Sequence, residues 1–183
     1  IKTIEALTNV RIDKFVVVDF NAFKKIVDAI GGVEICLVKA VSDPIIPGSG
    51  GTDLKLPAGY STLTGDQALQ FVRARENLGD GSDLSRIQRQ QAFMGAMVRD
   101  MTKKGVLTNP SLVYQILDAI TQSLSTSNEW ASVNTLQEFA LSIGTLKPKQ
   151  ISMVTTPNKI IEAGNVAWSE EATTMWQAIA ADK

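Results

Sequence analysis

Arg73, Arg75, Arg86 and Arg89 fall in one stretch, Gly65–Gln91 (GDQALQFVRARENLGDGSDLSRIQRQQ). Arginine forks match phosphate oxygens two at a time and stay charged at any working pH. Arg73 and Arg75 close one predicted helix, and Arg86 and Arg89 open the next. On that second helix Arg86, Arg89 and Gln90 share a face. Its first turn also offers unpaired backbone N–H groups and the positive end of the helix dipole. Such a cluster suits a pyrophosphate or another multiply charged anion. A second reading stays open on residue types alone. Asp66, Glu76, Asp80 and Asp83 are close in sequence and could pair with the arginines in a salt-bridged helix-loop-helix. Arginines at a helix N-terminus weigh against it, because the dipole disfavours cations there.

Other chemistries are narrowed by what the chain lacks. It has no histidine, which removes Ser-His-Asp and Cys-His catalysis, a histidine general base and His-ligated zinc. Its one cysteine, Cys36, cannot form an internal disulfide. Cys36 lies in the apolar run Val33–Val38, where buried packing is expected rather than reactivity. A net charge of −1 gives no overall field to draw in nucleic acid or anionic lipid. An anion site must come from local clustering. The 183 residues, 44% hydrophobic and 20% charged, suffice for one globular domain with a sizeable core. No apolar run approaches the roughly 20 residues that span a bilayer. The chain opens inside a predicted helix, Ile1–Thr8, and is expected to be a partial or processed piece.

The elements that must position the arginines follow from pattern. Phe15–Asp19 (FVVVD) predicts a buried strand. Asn21 is the expected cap of a helix over Ala22–Ile30, with Phe20, Phe23 and the helix's apolar face mainly in the core. Gly31-Gly32 stops that helix, and Val33–Val38 predicts a second strand. Ser42–Gly59, rich in proline and glycine, predicts a surface loop or loose hairpin, with a short strand near Leu54–Leu56. Thr64 caps a helix over Gly65–Arg73, and Glu76–Ser82 is a polar loop. Long helices are expected at Leu84–Lys103, Ser111–Ser125 and Glu129–Gly144. A strand at Gln150–Thr155 and a helix at Ser169–Ala180, capped by Ser169, complete the order. Alternating strands and helices with apolar strands predict an α/β fold, a central mixed β-sheet with helices on both faces.

Three segments, in this order, resemble the LytR-CpsA-Psr family. VDFNAFKKIVDAIGGVEI (Val18–Ile35) is similar to its strand, Asp-Phe, helix and Val-Asp-Ala-Ile-Gly-Gly-Val signature. LPAGYSTLTGDQALQFVRAR (Leu56–Arg75) resembles its Ala-Leu-x-x-Val-Arg-x-Arg motif, and GSDLSRIQRQQ (Gly81–Gln91) its Asp-x-x-Arg-x-x-Arg-Gln-Gln motif. The likeness is close over about Ile1–Asp100. Beyond Lys103 it rests on helix pattern and position. The Ser-Asp-Leu-Ser-Arg form is similar to the actinobacterial branch.

The resemblance implies a single domain over 1–183, the C-terminal two-thirds of the catalytic domain. It implies an enzyme anchored by a transmembrane helix outside this chain, working on the extracellular face of the bacterial plasma membrane. The implied reaction takes a glycopolymer of arabinogalactan, teichoic acid or capsule type from its polyprenyl-pyrophosphate carrier. The glycan phosphate passes to a peptidoglycan hydroxyl and polyprenyl phosphate is released. A pyrophosphatase-like activity on prenyl pyrophosphates is implied as well. The expected catalytic residues are Arg73, Arg75, Arg86 and Gln90. The substrate-binding set adds Arg89, read foremost as a structural salt-bridge partner. Magnesium or manganese is the implied cofactor, with ligands on a preceding segment, either upstream or a separate chain. Asp80 and Asp83 are not read as metal ligands. Ile1–Lys183 alone is expected not to transfer a glycan phosphate. The apolar helix faces are expected to form the slot for the prenyl tail. The rival reading is a non-catalytic module that holds an anionic glycan or a polyprenyl-phosphate lipid.

Overall fold

The computed structural model of the chain describes residues 1–48, 50–74, 83–120, 124–126, 132–144, 151–161 and 165–181. They pack as two compact units, 16–152 and a second made of 1–15 with 153–183. Each is described by itself.

In the larger unit, β1 (Val16–Val18) leads into α2 (Phe20–Ala29). The cap of α2 is Asp19, whose carboxylate accepts the Ala22 N–H at 2.7 Å. Asn21, the expected cap, lies inside the first turn, because the chain leaves its extended conformation two residues sooner, at Asp19 (ψ 173°). The helix ends at the predicted glycine pair. Gly31 and Gly32 have φ of +77° and +80°, a left-handed turn that a side chain would strain. A Cβ on Gly32 would also meet the Leu63 carbonyl oxygen at 2.9 Å. The Lys104 ammonium donates to the carbonyls of Ile30, Gly31 and Gly32 at 2.7, 3.2 and 3.0 Å. It therefore satisfies acceptors that a helix end leaves unpaired.

β2 (Val33–Leu37) pairs antiparallel with β5 (Gly59–Leu63), from Val33 opposite Leu63 to Leu37 opposite Gly59. Alternation turns Val33 and Ile35 inward and Glu34 and Cys36 outward. Cys36 is thus exposed, not buried as expected. β3 (Val41–Asp43) pairs with β4 (Leu54–Leu56), the hairpin form of the two expected for this segment. β1 pairs with β6 (Leu124–Thr126), a strand that falls where helix was expected. The α/β class holds, and the described strands form short antiparallel pairs in place of one continuous mixed sheet. Pro44 and Pro57, just after β3 and β4, lack the N–H that a longer ladder would need. The valines of β1 are 40–56% exposed, so this strand is not buried on both faces as expected.

α3 (Gly65–Arg73) has the predicted Thr64 cap, here a capping box with Gln67. α4 (Asp83–Lys103) is followed by a 3-10 turn at Val106–Thr108, then α5 (Pro110–Ile120) and α6 (Val133–Gly144). The core gathers Val27, Val33, Leu54, Leu63 and Phe93, each at most 1% exposed. Each such side chain contributes roughly 1.5–3 kcal/mol by burial. Phe93 of α4 packs against Phe23 and Phe71, with ring centroids at 5.7 and 6.3 Å. Asp100, itself buried, ties α4 to β2 by accepting the Glu34 N–H at 2.7 Å.

The smaller unit sets α1 (Lys2–Thr8) against α7 (Glu170–Ala180). Asn9 closes α1 with φ 54°, a left-handed cap that asparagine tolerates. The strand expected at Gln150–Thr155 is not seen over the described part, 151–155, which is irregular. A hairpin follows instead, β7 (Asn158–Ile160) with β8 (Val166–Trp168). Ser169 sits at the start of α7, but makes no backbone cap. Its hydroxyl donates to the Glu171 carboxylate. Among the described residues no helix is long and apolar enough to cross a membrane.

Candidate functional site

α2 and α3 lie side by side and run in opposite directions. At one end Asp28 accepts the Gly65 N–H at 2.7 Å. Near that end Lys24 pairs with Asp66 at 3.1 Å. At the other end the Arg73 guanidinium lies over the Phe20 ring, 4.8 Å from its centroid. Gly65 is required at the close approach, since a Cβ there would meet the Lys24 carbonyl oxygen at 2.4 Å.

The end of α3 is clasped by α4. Arg89 Nε donates to the Phe71 carbonyl at 3.1 Å, and Arg89 Nη2 donates to the Ala74 carbonyl. Gln90 Nε2 donates to the Val72 carbonyl at 3.1 Å. Three carbonyls at a helix C-terminus, normally left to water or a glycine turn, are thus satisfied by side chains of the next helix. Burial holds the Arg89 guanidinium below its ordinary value, with the charge of Arg86 acting in the same direction and that of Asp43 opposing. Arg86 lies one helical turn before Arg89 on α4. Asp43, fully buried, also accepts the Thr52 N–H and hydroxyl at 2.7 and 2.6 Å. Sequence reasoning gave Asp43 no role. Its signal was weak, a lone carboxylate in a proline-rich stretch.

The predicted residues divide accordingly. Arg89, expected as a salt-bridge partner and in the substrate-binding set, donates to carbonyls of α3. Gln90 is engaged with the Val72 carbonyl, while Arg86 stands beside Arg89. Arg73 is exposed on α3 and lines an open cleft of about 430 Å³ with Thr52, Asp66 and Gln70. Arg75, Glu76 and Asp80 lie outside the described residues, and so does the Asp83 side chain. Asp66, read as a partner for an arginine, pairs with Lys24 instead, because α2 runs alongside the first turn of α3. Phe20 was expected in the core and is 58% exposed, while Phe23 is packed against Phe93. The capped first turn of α2 carries Phe20 at the helix tip, beyond the core.

A second cavity, about 140 Å³ and lined wholly by apolar side chains, opens among Ile26 of α2, Met101 of α4, Val113 and Ile116 of α5 and Ala140 of α6. No sequence signal marked these residues apart from ordinary core. Among the described residues no three histidine, cysteine or carboxylate side chains are grouped to hold a metal.

The LytR_cpsA_psr family model matches residues 1–182. The chain belongs to the LytR-CpsA-Psr family. It is 34% identical over 175 residues to the cell wall biosynthesis protein LcpA of Corynebacterium glutamicum, covering 96% of this chain and 32% of that protein. It is 29% identical over 136 residues to a protein named polyisoprenyl-teichoic acid–peptidoglycan teichoic acid transferase TagU, of Oceanobacillus iheyensis. That match covers 74% of this chain and 39% of TagU. The chain thus spans about a third of the length of LcpA. Among solved structures the fold is similar to that of TagV from B. subtilis, with a TM-score of 0.72 at 17% identity, covering 98% of this chain and 67% of that one. It is equally similar to a LytR-Csp2A-Psr enzyme from Actinomyces oris, TM-score 0.72 at 21% identity, covering 92% and 64%.

Proposed function

We propose that this LytR-CpsA-Psr chain carries the phosphate-holding part of a phosphotransferase that moves a glycopolymer from a polyprenyl-pyrophosphate carrier to peptidoglycan. The observation that carries the reading is the clasp of Arg89 and Gln90 on the end of α3. It gives the arginine-rich start of α4 a fixed place against the helix that ends in Arg73, and leaves Arg73 facing an open cleft.

Phosphoryl transfer asks the protein mainly to position the substrate and to stabilise charge. An acceptor hydroxyl oxygen attacks the glycan-side phosphorus and loses its proton. The bond to the bridging oxygen breaks, and polyprenyl phosphate leaves with the electron pair. Arg73, Arg75 and Arg86 hold nonbridging oxygens through charge-assisted hydrogen bonds. Arg89 holds the scaffold. Gln90 serves the phosphate side by keeping α4 in place. The apolar cavity beneath α5 suits part of a prenyl tail, since its walls offer no polar partner to water. A divalent cation would draw its ligands from outside the described residues, on the extracellular face of the membrane where this chemistry is expected.

The experiment is turnover of a prenyl-pyrophosphate analogue by the natural full-length protein, wild type against Arg73→Ala and Arg86→Ala. A loss on the order of 10²–10³ in turnover, as for a lost oxyanion donor, supports the reading. Unchanged turnover in both variants rejects it. Tight binding of the analogue with no turnover would favour the non-catalytic binding module.

A further inference from the structure

We propose that Phe20 is a positioning residue for Arg73, holding its guanidinium ready for a pyrophosphate without neutralising it. The inference rests on the reading above that Arg73 binds substrate phosphate. Phe20 stands at the first position of α2, 58% exposed, so one face of its ring is open to a neighbouring side chain. What lies over it is a cation. The Arg73 Cζ is 4.8 Å from the ring centroid, inside the range in which the electron-rich ring face attracts a guanidinium.

The choice of partner matters chemically. A carboxylate would hold Arg73 through the same N–H groups that a phosphate needs, and would cancel its charge. Among the described residues, the carboxylate that lines the same cleft, Asp66, is instead paired with Lys24 at 3.1 Å. A ring attracts the cation through its π face and accepts no N–H in the way that a carboxylate does. The backbone that carries the ring is fixed. Asp19 caps the turn that carries Phe20, and the antiparallel packing of α2 on α3 brings that turn to the last residue of α3. Arginine normally surrenders rotamer freedom when it binds an anion. Here part of that ordering is done beforehand, which raises affinity without a new contact to the ligand.

The test is calorimetric binding of geranyl pyrophosphate and of inorganic pyrophosphate to the chain and to the variants F20L, F20W, R73A and F20L/R73A. Thermal unfolding is followed in parallel. R73A should weaken both probes by roughly 10- to 100-fold, the range for a hydrogen bond to a charged group. F20L should weaken both by about 2- to 5-fold, the range for an exposed cation–π contact. F20W should restore wild-type affinity, and F20L should add nothing in the R73A background. Unfolding midpoints should stay together throughout. Wild-type affinity in F20L beside a weakened R73A overturns the positioning role and leaves the phosphate reading standing. Equal losses from F20L with and without Arg73 also overturn it, as does a loss confined to geranyl pyrophosphate, which would mean that the ring touches the tail. Wild-type affinity in R73A sinks the phosphate reading, and the positioning role falls with it.

Discussion

Arg89→Gln should destabilise the larger unit by about 3 kcal/mol, far more than Arg73→Ala. The side chain makes two hydrogen bonds to carbonyls at the end of α3, from Phe71 and Ala74. Bonds from a charged donor are worth roughly 1.5–3 kcal/mol each. The residue is only partly buried, so the lower end applies to each. Asp43, fully buried, also loses a nearby cation, though it keeps its two bonds from Thr52. Breaking a buried charged network typically costs about 3–5 kcal/mol, and partial exposure again favours the bottom of that range. Arg89→Lys keeps the charge for Asp43 but loses the fork that reaches two carbonyls, so its loss should be about 1–2 kcal/mol. Urea unfolding followed by circular dichroism measures all three variants. If Arg89→Gln falls within about 0.5 kcal/mol of wild type, the level of an ordinary surface substitution, the clasp does not hold α4 to α3. If it keeps its stability and loses pyrophosphate binding, Arg89 is a ligand residue.

Lys104→Met should cost about 2 kcal/mol in the same assay, since the ammonium serves three carbonyls behind α2. Arginine there should not rescue it, because its planar fork does not match three converging carbonyls. Gly32→Ala should cost more than about 2 kcal/mol, combining a strained φ with the clash against Leu63; near-native stability would show that the turn can relax. The Glu171 carboxyl titrates below its ordinary value, chiefly because the Ser169 hydroxyl donates to it. A carboxyl lowered on folding favours the folded state above its unfolded-state pKa, and this advantage fades as pH falls through the folded-state value. Ser169→Ala should move the midpoint upward in an NMR titration, and an unmoved midpoint would mean that the hydroxyl is not the cause.

Much of the positioning was legible because it is local. The Thr64 cap, the glycine pair behind α2 and the long helix bearing Arg86 and Arg89 each follow from residues within a few positions of one another. The missed features depend on distant partners. β6 was hidden in the largely polar stretch TQSLSTS, which carries no strand pattern of its own, and Val16–Val18 opposite it decides the outcome. Cys36 faces out because β2 shows its other face to the core, a parity that pairing fixes and composition does not. The residues of the candidate site could be named from motif spacing. Their division of labour could not. Arg89 was read as a salt-bridge partner and Gln90 as a phosphate ligand, and both donate to carbonyls 15 to 18 positions earlier.

The contact at Gly65 also acts as the fulcrum of a lever. Its backbone is wedged against Lys24 and latched by Asp28, while Arg73 rides at the far end of the same helix. Eight steps of about 1.5 Å make an arm of about 12 Å. A tilt of about 5° at the fulcrum would swing the tip by about 1 Å. That is the scale at which misplacing a catalytic group is felt at about a hundredfold in rate. A single methyl group at Gly65 could therefore detune the arginine from the opposite end of the helix, leaving every residue of the cleft unchanged in identity.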